Sequence, residues 1–144
     1  MRFTMHPELP AVDILRAKEW YRDKLGLDPV TVDGEPYEPD AVQSFGEMLY
    51  DTGTAKFGVY ESPHAGRNLA TAARLVTDDF DAVHAELLAN GVVFETYPVE
   101  GNFGSDDDSP PPYWDDGALV FPDGAKTAWF KDSEGNILAI GSCE

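Results

Sequence analysis

The chain has 144 residues, a formal charge of −17 and one cysteine. That length suits one compact domain, or two small repeats sharing a core, and the acidity excludes nucleic acid as a partner, because phosphate binding needs a basic surface. A lone Cys143 excludes an internal disulfide framework and a cysteine zinc cluster.

The opening MRFTMHPELPAVD holds no apolar core of signal-peptide length. No stretch reaches the roughly 18 apolar residues of a membrane span. The expectation is a cytoplasmic protein without a membrane partner. An acidic surface favours a cationic ligand, where it does more than maintain solubility.

In chain order, Leu9 to Leu27 (LPAVDILRAKEWYRDKLGL) reads as a strand end, an N-cap at Asp13 and a helix. Its apolar side carries Ile14, Ala17, Trp20, Tyr21 and Leu25, and Gly26 stops it. Strand character follows in Pro29–Val32, Gly46–Asp51 and Ala55–Glu61, with a polar loop over Asp33–Asp40 and a connection over Ser62–Asn68.

Leu75 to Val92 (LVTDDFDAVHAELLANGV) then repeats the pattern, with Asp78 or Asp79 as cap, an apolar stripe of Phe80, Val83, Leu87 and Leu88, and Gly91 as stop. Strands are predicted over Val93–Tyr97, Gly117–Val120, Thr127–Lys131 and Ile137–Gly141. Asp132–Asn136 forms the turn between the last two, with Gly135 or Asn136 able to take positive φ. Glu100–Asp116, rich in acids and glycines with three consecutive prolines, is predicted to be irregular.

This order of strand, helix and several strands, occurring twice, predicts an α+β fold of two βαβββ modules, about 1–66 and 67–144. The segments LPAVDILRAKEWYRDKLGL, DDFDAVHAELLANGV and AWFKDSEGNILAI together resemble the vicinal oxygen chelate superfamily, which includes glyoxalases, bleomycin resistance proteins and dioxygenases. That resemblance implies a single domain over 1–144 whose curled mixed sheets surround a cavity, within a homodimer.

In metal-using relatives four ligands, His or Glu, come from the first and last strand of each module. Counting back from Asp13 and Gly26 at the family spacing places His6 at the first position. The same count from Asp79 and Gly91 reaches Ala72. In GNILAI the carboxylate position holds Ala139, and in KFGVYE the best register gives Gly58, with a shift of one residue left open.

One imidazole does not hold a catalytic metal, so a metal-free member with no cofactor is expected, and His6 is the only ligand-type residue left. The expected activity is binding of a small organic molecule, cationic or aromatic. The rival is an enzyme of the same family, a lyase, isomerase or thiol transferase, either metal-dependent or working by acid-base chemistry through His6, Glu8 or Tyr60.

Strand alternation puts Glu8 on the face of His6, Arg74 on the face of Ala72 and Tyr60 on the face of Gly58. Glu8 and Arg74 are read as an ion pair or as binders of a charged ligand. Phe103, Tyr113 and Trp114 are read as a stacking cover for the cavity, with Asp106, Asp107 and Asp108 drawing in a cation, against the plainer reading of a solvated excursion. His64 is read as surface and His84 as the flank of the second helix. One of Trp129 and Phe130 faces the helix side of its sheet. Phosphate-loop, dinucleotide, nucleophile-elbow and HExxH motifs are absent.

Overall fold

The computed structural model describes residues 1–40, 46–98 and 110–142. Phe103, Asp106, Asp107, Asp108 and Cys143, singled out above, lie outside the described residues. Two compact units are formed, one from Met1–Ala72 with Asp132–Ile137, the other from Ala73–Lys131 with Leu138–Glu144.

In the first unit β1 (Glu8–Ala11) leads into α1 (Ile14–Leu25), followed by β2 (Thr31–Val32), β3 (Glu35–Pro36), β4 (Glu47–Asp51) and β5 (Lys56–Glu61). The sheet order is β1-β5-β4-β2-β3, with β1 parallel to β5 and the β5–β4, β4–β2 and β2–β3 pairs antiparallel. Asp13 caps α1 by accepting from the Arg16 N–H at 3.0 Å, and Gly26 ends it at φ 67°, which a residue with a Cβ adopts only under strain. Alternation places Met48, Tyr50, Phe57 and Val59 in the core with Ile14, Ala17 and Tyr21 of α1. Tyr50 stacks on Phe57 with ring centroids 4.9 Å apart, and Tyr21 leans on Tyr50 at 5.3 Å.

Asp132–Ile137 completes this unit, although Asp132–Asn136 was expected only to turn the chain. Asp132 accepts from the Tyr21 hydroxyl at 2.8 Å, from the backbone N–H groups of Glu134 and Asn136 at 2.9 Å, and from the Asn136 amide at 2.8 Å. That amide also donates to the Pro10 carbonyl at 2.8 Å, which ties the turn to β1. Glu134 accepts the Asp13 N–H at 2.7 Å and the Arg16 guanidinium at 2.8 and 3.0 Å, so the free donor of the α1 cap is satisfied from a remote turn.

In the second unit and its flanks run β6 (Thr71–Thr77), α2 (Phe80–Ala89), β7 (Phe94–Glu95), β8 (Tyr113–Asp115), β9 (Ala118–Val120), β10 (Lys126–Lys131) and β11 (Ile137–Ser142). The order is β6-β11-β10-β9-β8, with β7 also on β10. Asp79 caps α2 through the Ala82 N–H.

Three sequence expectations change here. Tyr113–Asp115 is a strand although it lies in the stretch predicted to be irregular, because Asp116 (φ 48°) and Gly117 (φ 79°) make a two-residue turn into β9. Asp33 (φ 49°) and Gly34 (φ 81°) do the same between β2 and β3, inside the predicted polar loop. On α2, His84 is buried while Leu88 is 40% exposed, since Phe80 and Phe94 offer His84 aromatic faces. Among the described residues no helix is long and apolar enough to cross a membrane.

Candidate functional site

The face of the first sheet turned away from α1 carries Glu8, Gly58 and Tyr60, as alternation requires. Glu8 pairs in register with Gly58, and its carboxylate lies where a Cβ on residue 58 would stand. Gly58 is therefore the floor on which Glu8 rests. His6, just before β1, reaches the same carboxylate, with Nε2 3.1 Å from Oε1.

The second unit shows the same arrangement with opposite charge: the Arg74 guanidinium covers Gly141, and its Nη2 donates to the Ser142 carbonyl at 3.4 Å. This equivalence aligns Gly58 with Gly141 and puts Lys56, rather than Gly58, at the position matching Ala139. The sequence count had no way to see it, because it shows only in the backbone pairing of β1 with β5.

A cavity of about 320 Å³ opens in the first unit beside Glu8. Glu8, Pro10, His64, Asn68, Ala72 and Asn136 are among its lining residues. Two residues singled out for a cavity, Glu8 and Ala72, thus meet at one, while His64, exposed as expected, edges it from the connection between β5 and β6. The Ser62 hydroxyl accepts the His64 N–H at 3.2 Å, and Asn68 accepts the Ala70 N–H at 3.0 Å, so local turn bonds hold this connection in shape.

These residues do not fit a catalytic metal. Among the described residues no three His, Cys, Asp or Glu side chains stand close enough together to hold one. His6 has Glu8, but Ala72 and Ala139 offer no donor atom and Lys56 offers an ammonium, which repels a cation.

The second unit carries a separate aromatic surface. Phe130 packs edge-on against Phe94, which stacks on His84 of α2, so Trp129 faces the other side of the sheet. There Trp129 meets Trp114 with centroids 6.0 Å apart and Tyr97 at 5.9 Å. The Trp114 indole N–H donates to the Tyr97 backbone carbonyl at 3.1 Å, which fixes the indole. The Tyr97 hydroxyl donates to Glu95 at 2.7 Å, and Glu95 lies 3.4 Å from the Lys131 ammonium. Burial, then the bond to Glu95, pushes the Tyr97 hydroxyl up to about 12, so it remains a donor at neutral pH.

Trp114, expected as a stacking cover for the cavity, here meets the ring of Trp129. Tyr97 was not expected there, although it stands two residues past the end of β7. Ala139 is buried in β11.

The model of the Glyoxalase/Bleomycin resistance protein/Dioxygenase superfamily matches residues 5–140. Among solved structures, the glyoxalase/bleomycin resistance protein from Catenulispora acidiphila is 19% identical with a TM-score of 0.66, covering 99% of this chain and 100% of its own. A bleomycin-binding protein complexed with bleomycin is 17% identical with a TM-score of 0.63, over 99% and 100% of the two chains. A lactoylglutathione lyase from Agrobacterium tumefaciens is 17% identical with a TM-score of 0.60, over 97% and 92%. At these identities the likeness shows the fold. No curated protein matches the chain in sequence.

Proposed function

The chain belongs to the Glyoxalase/Bleomycin resistance protein/Dioxygenase superfamily, and from that premise we propose that it is a metal-independent binding protein for a small organic molecule. The observation that carries this reading is the cavity beside Glu8, of a size that suits a small ligand, where among the described residues no three His, Cys, Asp or Glu side chains are grouped to hold a metal. A ligand with a cationic group suits Glu8 and the chain's net charge of −17. The separate surface of Trp114, Trp129 and Tyr97 suits an aromatic ligand of its own. His6, Gly58, Tyr60 and Arg74 remain the supporting residues of this proposal, which includes a cytoplasmic homodimer as the working form.

The test measures metal per chain on protein purified without added metal, then melting shifts with nickel, zinc, bleomycin and a set of aromatic cations. The expected result is metal far below one per chain, no shift with either metal, and a rise with at least one organic cation that Glu8→Gln abolishes. One metal per chain with His6 among its ligands would overturn the reading. Light scattering at micromolar protein checks the homodimer.

The His6–Glu8 contact of 3.1 Å supports one rival, an acid-base enzyme in which Glu8 orients the imidazole and His6 moves the proton. Turnover lost in His6→Asn, with ligand binding retained, would favour that rival.

A further inference from the structure

The cavity of about 320 Å³ beside Glu8 is built entirely from the first unit, and one of its sides is the turn that ends at Asn136. Leu9, Pro10 and Ile137 give it an apolar wall, and Glu8 supplies the one carboxylate, with no lysine or arginine, among the described residues that line it. Asn136 lines it too. That side chain is only 5% exposed, and both hydrogens of its amide are spent, on the Pro10 carbonyl and on the Asp132 carboxylate, each at 2.8 Å.

Turning the amide over would set its oxygen against those two acceptors, so Oδ1 points away from both. Among the described residues Oδ1 meets no donor, yet the one side-chain nitrogen or oxygen sealed from solvent without a partner is His84 Nε2. The Asn136 oxygen is therefore unpartnered and still reachable, and the open space its residue lines is this cavity. A nearly buried acceptor without a donor is costly, and a ligand that brings an N–H removes the cost.

The opposite wall is held in place against the same turn. The connection between β5 and β6, which carries His64 and Asn68, rests on it backbone to backbone: a Cβ at Gly66 would stand 2.8 Å from the Glu134 carbonyl oxygen, and one at Gly135 3.0 Å from the Gly66 Cα. The cavity is thus formed before a ligand arrives, so little ordering is left for binding to supply.

We propose that Asn136 sets the specificity of this cavity, selecting a small organic cation that carries N–H groups, an alkylammonium or a guanidinium, which donates to Oδ1 while Glu8 meets its charge. The proposal rests on the reading of this cavity as a binding site and narrows its ligand. Net charge alone admits any cation. Asn136 adds the demand for N–H, because a quaternary ammonium presents only carbon-bound hydrogens and leaves Oδ1 unpaired. His6 meets Glu8 at Oε1, so Oε2 remains as an acceptor for the same ligand. The apolar wall suits the carbon chain of such a cation.

Asn136 also ties the turn to β1, so the test leaves it in place and changes the ligand instead. Butylammonium chloride is titrated into the full chain labelled with ¹³C and ¹⁵N, with butyltrimethylammonium chloride at equal ionic strength as the cation that has no N–H. The expected result is a saturable shift of the Asn136 side-chain carbonyl carbon with butylammonium, lost in Glu8→Gln. Butyltrimethylammonium should bind at least about tenfold more weakly, as the loss of a charge-assisted hydrogen bond implies. Equal affinities for the two cations, no binding of butylammonium, or binding that leaves the Asn136 carbonyl carbon unmoved would each overturn the proposal. Equal affinities would leave the binding-protein reading standing, whereas one metal per chain would remove that reading and this proposal together.

Discussion

Asp132 collects four hydrogen bonds within one turn, and Glu134 beside it binds the backbone and the guanidinium that start α1. Asp132→Ala leaves the Tyr21 hydroxyl and the Asn136 amide without this acceptor in a buried place, which should cost about 3 kcal/mol in chemical denaturation. Tyr21→Phe removes one bond and no packing, and should cost about 1 kcal/mol. Equal losses in the two variants would contradict the arrangement.

The two acids respond to pH with opposite sign. Burial works to raise the Glu134 carboxyl, but the bonds from Arg16, Asp13 and Ser133 outweigh it and hold the group below its ordinary 4.5. Its stabilisation is thus full above 4.5 and lost as pH falls through the lower folded value. Burial raises Asp132 above its ordinary 3.8 against the pull of its hydrogen bonds, so its contribution is present below 3.8 and declines as pH rises through the folded value. Glu134→Gln should therefore lower stability at pH 7 while making the loss between pH 4.5 and pH 2 shallower. A steeper acid limb in that variant would refute the assignment.

The sequence showed Asp132–Asn136 as a turn and no more, because its partners Tyr21, Asp13 and Pro10 stand more than a hundred residues away. His84 was misread for a related reason: periodicity ranks a histidine below leucine for burial, and Phe94, the ring that draws it inward, lies beyond the helix.

Helices α1 and α2 were legible almost to their ends, since cap, stripe and stop glycine all belong to one continuous segment. The short hairpins were less so, although Asp33-Gly34 and Asp116-Gly117 are both strong two-residue turn signals. Prolines at 110–112 and the acids before them masked the second. The two turns differ in surroundings. A Cβ at Gly34 meets nothing within 4 Å, whereas one at Gly117 meets the Phe94 Cβ at 3.0 Å. Gly34→Ala should cost about 1 kcal/mol from positive φ alone, and Gly117→Ala a further ~1 kcal/mol from the collision. Denaturation midpoints that fall equally would show that the contact with Phe94 relaxes freely.

For the whole chain, 27 acidic residues against 10 basic ones mean self-repulsion that salt relieves. The melting temperature should rise as sodium chloride increases from about 0.02 to 0.5 M, where the screening length becomes short compared with the molecule. A flat or falling profile would show that the acids are already balanced locally. The family was readable from three segments that span most of the chain, and its repeat gave the α+β class. The ligand was not readable, because the cavity beside Glu8 also draws on His64 and Asn68 in a connection whose sequence reads only as loop. The discontinuity of the first unit also bears on its birth at the ribosome. After Ala72 has been made, a further 59 residues must be added before Asp132 exists. At about 5–20 residues per second, the cap of α1 waits several seconds for the turn that binds it, an interval in which a nascent chain has its first helix formed but not yet fastened.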